Sequence, residues 1–171
     1  MDIKIGKITY GPDATEAKID KESKSYSGTK IPFGFSVLGI ISHSDNGFKR
    51  FTKAFGRSLD EGSLSEILDN YLNVNEKYAV SLAKCFLIKL REVQDFFLIQ
   101  KSFRIYGSSI LFAYDYENLS SNDWNSRNPV RLSLIDFAHN FPGDGKIDEN
   151  YLNGLTNLIK LFENFVQDRR R

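Results

Sequence analysis

The segment from Tyr106 to His139 constrains the fold more than any other. It reads YGSSILFAYDYE, then a polar loop, then VRLSLIDFAHN. Two apolar runs of strand length flank Asn118–Pro129, a stretch rich in Ser, Asn and Asp that closes on a proline. This pattern predicts an antiparallel hairpin with a long loop. Its second strand ends on Asp136, at the tip of a run (Leu132, Leu134, Ile135) expected to be mostly buried. Burying a carboxylate without a partner is costly. Asp136 therefore suggests a metal, an Arg or Lys partner, or a cluster of backbone donors; a turn aspartate satisfied by its own loop is the plain alternative.

With 171 residues, one domain over 1–171 is expected, long enough to bury a proper core. A net charge of +1 gives no global electrostatic case for nucleic acid or a membrane surface, so partners must be read from local sites. The single cysteine, Cys85, excludes an internal disulfide and fits a reducing, intracellular compartment, cytoplasm or nucleus. No signal peptide and no long apolar run is present, so no membrane span is expected. Asn118-Leu119-Ser120 is a chance glycosylation match in that setting.

Along the chain, residues 2–10 read as a strand with Ile3, Ile5 and Ile8 against Asp2, Lys4 and Lys7. Alternation sets Asp2 and Lys4 on one face, about 6–7 Å apart. Composition alone favours an exposed edge with an ordinary charge pair there. Asp13 is placed to cap a short helix through Ala14, Ala17 and Ile19, and Lys18, Lys21, Lys24 and Lys30 follow closely. Phe33–Ile41 reads as the next strand, and Asp45–Gly56 as a polar, basic stretch. Ser58/Glu61 and Ser63/Glu66 both fit a capping box before a helix carrying Leu64, Ile67, Leu68, Tyr71 and Leu72. A longer helix over about 76–100 buries Leu82, Phe86, Leu90, Val93 and Phe97, with Cys85 as packing. A last helix opens at Asn150 and turns Leu152, Leu155, Leu158, Ile159, Phe162 and Val166 inward. Asp144–Asn150 lacks the glycine and ligand series of a calcium loop. His43 reads as a loop residue and Arg169–Arg171 as a frayed, solvated end.

Four motifs, in order, resemble the inositol polyphosphate kinase family: Asp2-Ile3-Lys4-Ile5-Gly6 its D-x-K-x-G motif, SSILFAYD its SLL-type strand, LIDFAH its metal motif, and NYLNGLTNLI its helix start. The resemblance implies an α+β, kinase-like C-terminal lobe, an antiparallel sheet packed on helices. It implies phosphorylation of inositol phosphates with ATP and Mg²⁺ as cofactors. Asp2 and Lys4 would be catalytic: the lysine neutralises charge on the transferred group, and the carboxylate orients the attacking hydroxyl or accepts its proton. Asp136 would hold the metal at the β- and γ-phosphates, with Ser109 supporting metal or phosphates. Lys53 and Arg57, in a segment resembling K-x-x-G-R-S, would approach substrate phosphates. His139 follows the D-F-A-H form of the multikinase and hexakisphosphate kinase branches and would touch the inositol ring or its phosphates; by position alone it could equally support a substrate-contacting residue from behind. In the family a whole N-terminal lobe precedes D-x-K-x-G and supplies an ATP-binding lysine and the adenine-contacting hinge, whereas here Met1 stands directly before Asp2. The expectation is an N-terminally truncated kinase with the ATP lobe absent, or a non-catalytic remnant that binds inositol phosphates or a protein partner.

Overall fold

A computed structural model describes residues 1–44, 47–73, 76–117, 119 and 129–169. In chain order the elements are β1 (Asp2–Ile5), α1 (Glu16–Lys24), α2 (Ser27–Phe33), β2 (Phe35–Ser44), β3 (Gly47–Phe51), α3 (Lys53–Ser58), α4 (Ser65–Tyr71), α5 (Glu76–Ile99), β4 (Phe103–Ile105), β5 (Ser109–Tyr114), β6 (Val130–Ile135), β7 (Asn140–Pro142) and α6 (Glu149–Asp168). Five strands form an antiparallel sheet in the order β3-β2-β1-β5-β6, and β4 pairs with β7 apart from it. The expected α+β arrangement is thus observed, and so is the β5–β6 hairpin, with Ser109 opposite Ile135 and Tyr114 opposite Val130. Residues 118 and 120–128, most of its polar loop with the glycosylation match, lie outside the described residues.

Period-2 alternation divides the sheet. Ile3, Ile5, Val37 and Ile110 are wholly buried on one face, while Asp2, Lys4, Leu38 and Leu111 look the other way. The buried face rests on α5 and α6, where Phe86, Phe112 and Phe162 pack ring on ring and Phe97 stacks on Tyr151 at 4.0 Å. Leu82, Phe86, Leu90 and Phe97 are at 0% exposure as the helical spacing demands, each such side chain contributing ~1.5–3 kcal/mol. Cys85 is half-buried and burial pushes its thiol pKa up, which suits packing rather than chemistry. Among the described residues no helix is long and apolar enough to cross a membrane.

Several boundaries differ from the sequence reading. The first strand stops at Ile5, because Gly6 takes φ +105° and its N–H turns to the Gly34 carbonyl at 2.7 Å. Thr15, rather than Asp13, caps α1 by accepting from the Lys18 N–H. Phe33 closes α2 instead of opening a strand, and β2 runs on to Ser44. The polar stretch after it contains β3 and α3, with a register of five pairs against β2. Neither expected capping box forms: Asp60 and Ser63 cap a 3-10 turn reciprocally instead. His43 lies in β2, not in a loop, with its ring stacked on Tyr116 at 3.5 Å. Asp148 caps α6, accepting from Tyr151 and from Ile105, while Asn150 fastens the Ile8 backbone through both its side-chain atoms. Arg169 is not frayed but pairs with Asp69 and lies over the Phe165 ring.

Candidate functional site

The outer face of β1 carries the site. Lys4 is flanked in register by Ser36 on β2 and Ser109 on β5, and Asp2 by Gly39 and Leu111. Ser36 and Ser109 are buried, and among the described residues their hydroxyls lack a hydrogen-bond partner, as does Asp2 Oδ1. Buried polar groups are normally paired, and three unsatisfied oxygens on this part of the sheet leave hydrogen-bonding capacity for water or a ligand there.

Two recesses lie side by side there. One is a cleft of about 570 Å³ lined by Asp2, Asp136, Arg50 and Lys53 with the apolar side chains of Leu38, Ile40 and Leu111. The other is a cavity of about 170 Å³ lined by Lys4, Lys21, Lys30, Lys53, Arg57 and Glu22, among others. Leu38 and Lys53 belong to both, and β1 itself passes from Asp2 in the cleft to Lys4 in the cavity.

Among the elements around the cavity, α1 contributes least to the core. No residue of α1 is buried, so packing alone would not hold this polar helix. Its inner side presents Lys21 and Glu22 to the cavity. From α3, Lys53 and Arg57 reach the same space, and this short helix lies hard against β2: a Cβ at Gly56 would fall 1.8 Å from the Val37 carbonyl oxygen. The Arg57 guanidinium sits 5.4 Å from the Tyr26 ring centroid. Tyr26 takes φ +56°, and burial pushes its hydroxyl pKa up, against the opposing Arg57 charge. Lys30 is only 2% exposed and its ammonium donates to the Glu22 carbonyl. Burial lowers its pKa.

The residues singled out from the sequence divide as follows. Lys4, Lys53 and Arg57 share the basic cavity, and Asp2 and Asp136 share the cleft. Ser109 is adjacent in register to Lys4 and to Ile135, one residue short of Asp136. His139 lines neither recess; its Nε2 meets Lys18 Nζ at 3.0 Å, which ties it to α1. Burial of Asp136 is not what the fold shows. The side chain is exposed, Leu132 and Leu134 are only half-buried, and the distinguishing feature is φ +66° at the strand end. Non-glycine residues held there are uncommon, Asp and Asn being the most tolerant, and such strain clusters at functional sites. Glu22 was not identifiable from the sequence; Lys30 and Arg50 fall in its two basic stretches, but only the fold brings Lys30 beside Glu22 in the cavity and Arg50 to the cleft.

Among the described residues no group of three or more His, Cys, Asp or Glu can enclose a metal unaided. Mg²⁺ bound with nucleotide needs no such group, because one or two carboxylates plus phosphate oxygens suffice. Asp136, an exposed carboxylate lining the cleft, fits that requirement.

A family model described as inositol polyphosphate kinase matches residues 1–163. Inositol polyphosphate multikinase of Schizosaccharomyces pombe is 33% identical over 168 residues, covering 95% of this chain and 61% of that protein. Inositol polyphosphate multikinase alpha of Arabidopsis thaliana is 30% identical, covering 98% of this chain and 64% of its own length. The chain therefore spans less than two thirds of either relative. Among solved structures, one from structural studies and protein engineering of inositol phosphate multikinase superposes with a TM-score of 0.79 at 28% identity, covering 96% of this chain and 78% of that one. Inositol phosphate multikinase Ipk2 from S. cerevisiae, in complex with ADP and Mn²⁺, has the same fold at a TM-score of 0.79 and 24% identity, over 96% of this chain and 77% of its own.

Proposed function

We propose, because this chain belongs to the inositol polyphosphate kinase family, that it binds an inositol phosphate in the basic cavity and the phosphates of ATP with Mg²⁺ in the adjoining cleft, and passes the γ-phosphoryl group between them. The observation that carries this reading is the shared wall: Lys53 lines both recesses, and Asp2 and Lys4 face one each from alternate positions of a single strand. Phosphoryl transfer asks for this kind of layout, since positioning and neutralisation of charge do nearly all the work.

In this scheme Lys4, Lys53 and Arg57 bind the substrate phosphates, Lys as a point charge and Arg through its fork. Asp2 orients the attacking ring hydroxyl and takes its proton as the new P–O bond forms and the bond to the departing ADP oxygen breaks. Lys4 offsets charge on the transferred group. Asp136 would hold the metal, with Ser109 behind it, and the metal when bound supplies charge neutralisation at the β- and γ-phosphates. His139 positions Lys18 on α1 and thereby the substrate-facing helix.

A second reading, an inositol-phosphate-binding module without transfer, is favoured by one contrast. The basic cavity draws its walls from this chain's own α1, α2 and α3, while beside the cleft Leu111 and Ile41 are 41% and 48% exposed. Calorimetric titration with inositol hexakisphosphate tests the cavity. Saturable binding is expected, at least tenfold weaker (about 1.4 kcal/mol) in Lys4→Ala and in Arg57→Ala, and weaker at ~0.15 M than at ~0.01 M salt. No saturable binding of inositol hexakisphosphate or of inositol 1,4,5-trisphosphate, even at low salt, would overturn both readings. Phosphate transfer from labelled ATP to inositol phosphates then separates them: transfer lost in Lys4→Ala supports the kinase, binding without transfer the module.

A further inference from the structure

Glu22 is tethered at both ends. Its Oε2 accepts from Thr9 Oγ1 at 2.8 Å and its main-chain carbonyl accepts from Lys30 Nζ. Thr9 and Lys30 are themselves 4% and 2% exposed, so the clamp is part of the protein interior. Yet Glu22 and Thr9, the partner of its carboxylate, both line the cavity that holds Lys4, Lys21, Lys53 and Arg57. Glu22 and Lys4 both act on the Lys30 ammonium, in opposite directions, so these charges share one small space.

A cavity shaped only to attract phosphate gains nothing from a fixed carboxylate in its wall. A phosphate dianion has no proton to offer it, and like charges in contact are a strong means of excluding a wrong partner. A ring hydroxyl, by contrast, donates to a carboxylate well. Merely offsetting the surplus of cations would be served as well by a mobile side chain on the outer side of α1, such as Glu16.

Resting on the inositol phosphate reading of the cavity, we propose that Glu22 determines specificity: its tethered carboxylate accepts a hydrogen bond from a free ring hydroxyl and excludes a phosphate from that position. The site consequently favours partly phosphorylated inositols over the hexakisphosphate, and Lys30 and Thr9 act as positioning residues for that choice.

The test is calorimetry with inositol hexakisphosphate and inositol 1,4,5-trisphosphate at one fixed salt concentration, with Tm measured alongside. Glu22→Gln keeps an oxygen for Thr9 but removes the charge. Thr9→Val keeps the charge but releases it. Glu16→Gln changes net charge by the same amount on the same helix, outside the cavity. The hexakisphosphate-to-trisphosphate affinity ratio is expected to rise about tenfold or more in Glu22→Gln, roughly threefold in Thr9→Val, and by less than about twofold in Glu16→Gln. Equal tightening of both ligands in Glu22→Gln, an equal ratio change in Glu16→Gln, or a fall in Tm without any change in ratio would overturn the proposal while leaving the inositol phosphate reading intact. Failure of the unmodified chain to bind either ligand would overturn that reading and the proposal with it.

Discussion

Asp136→Asn is expected to abolish metal-dependent nucleotide binding and to lower phosphoryl transfer by about a thousandfold, with Tm unchanged. A thousandfold corresponds to ~4 kcal/mol of lost transition-state stabilisation. Asn is the right replacement because residue 136 sits at φ +66°, where Asn is nearly as tolerant as Asp and Ala would add backbone strain. The side chain is exposed at the end of β6, so no packing is lost. What disappears is a negative carboxylate oxygen in the cleft that Asp2 also lines. The measurements are calorimetry with ATP in the presence and absence of Mg²⁺, transfer from labelled ATP, and a thermal melt. Nucleotide affinity in Mg²⁺ equal to that of the unmodified protein would remove Asp136 from the metal site. A large fall in Tm would show instead that the residue serves the turn.

Gly154→Ala is expected to cost ~2–3 kcal/mol of stability, with a drop in Tm of roughly 4–12 °C. A Cβ at residue 154 would lie 2.0 Å from the Gly34 carbonyl oxygen and 3.1 Å from the Gly6 amide nitrogen. These are the two atoms of the backbone bond that joins the end of β1 to the start of β2. Backbone cannot rotate away as a side chain can, so α6 must lift off the sheet beneath the strand that carries Asp2 and Lys4. Substrate binding should weaken together with stability, unlike in Lys4→Ala, where Tm is expected to hold because Lys4 faces away from the core. A melt and an inositol hexakisphosphate titration of both variants check this. An unchanged Tm for Gly154→Ala would mean that the helix has slack at this contact.

The helix-start motif that contains Gly154 could be read directly, but the reason for its glycine could not. Gly34 lies 120 residues upstream, and nothing local to Gly154 signals that the two backbones meet. His139 shows the same limit. Nothing local to its motif signals that its ring meets Lys18, on a helix 121 residues away in sequence. For Asp136 the burial argument did not hold: a strand whose tip leaves the sheet need not bury its last side chain, however apolar the run before it.

Features with a short physical period were determined by the sequence alone. Alternation in Ile3 and Ile5 fixed which face of β1 carries Asp2 and Lys4, and the 3.6-residue spacing of Leu82, Phe86, Leu90 and Phe97 marked the inward side of α5. Each such pattern is written within a few residues, because one backbone geometry dictates it. The tertiary structure alone decided what meets across those elements. It brought Lys4 from β1, Glu22 from α1, Lys30 from α2 and Arg57 from α3 around one cavity, and tethered Glu22 between Thr9 and Lys30. No periodicity encodes that meeting. It follows from how helices and strands pack once their buried faces are satisfied, and the chemistry of the site resides in what that packing leaves facing outward.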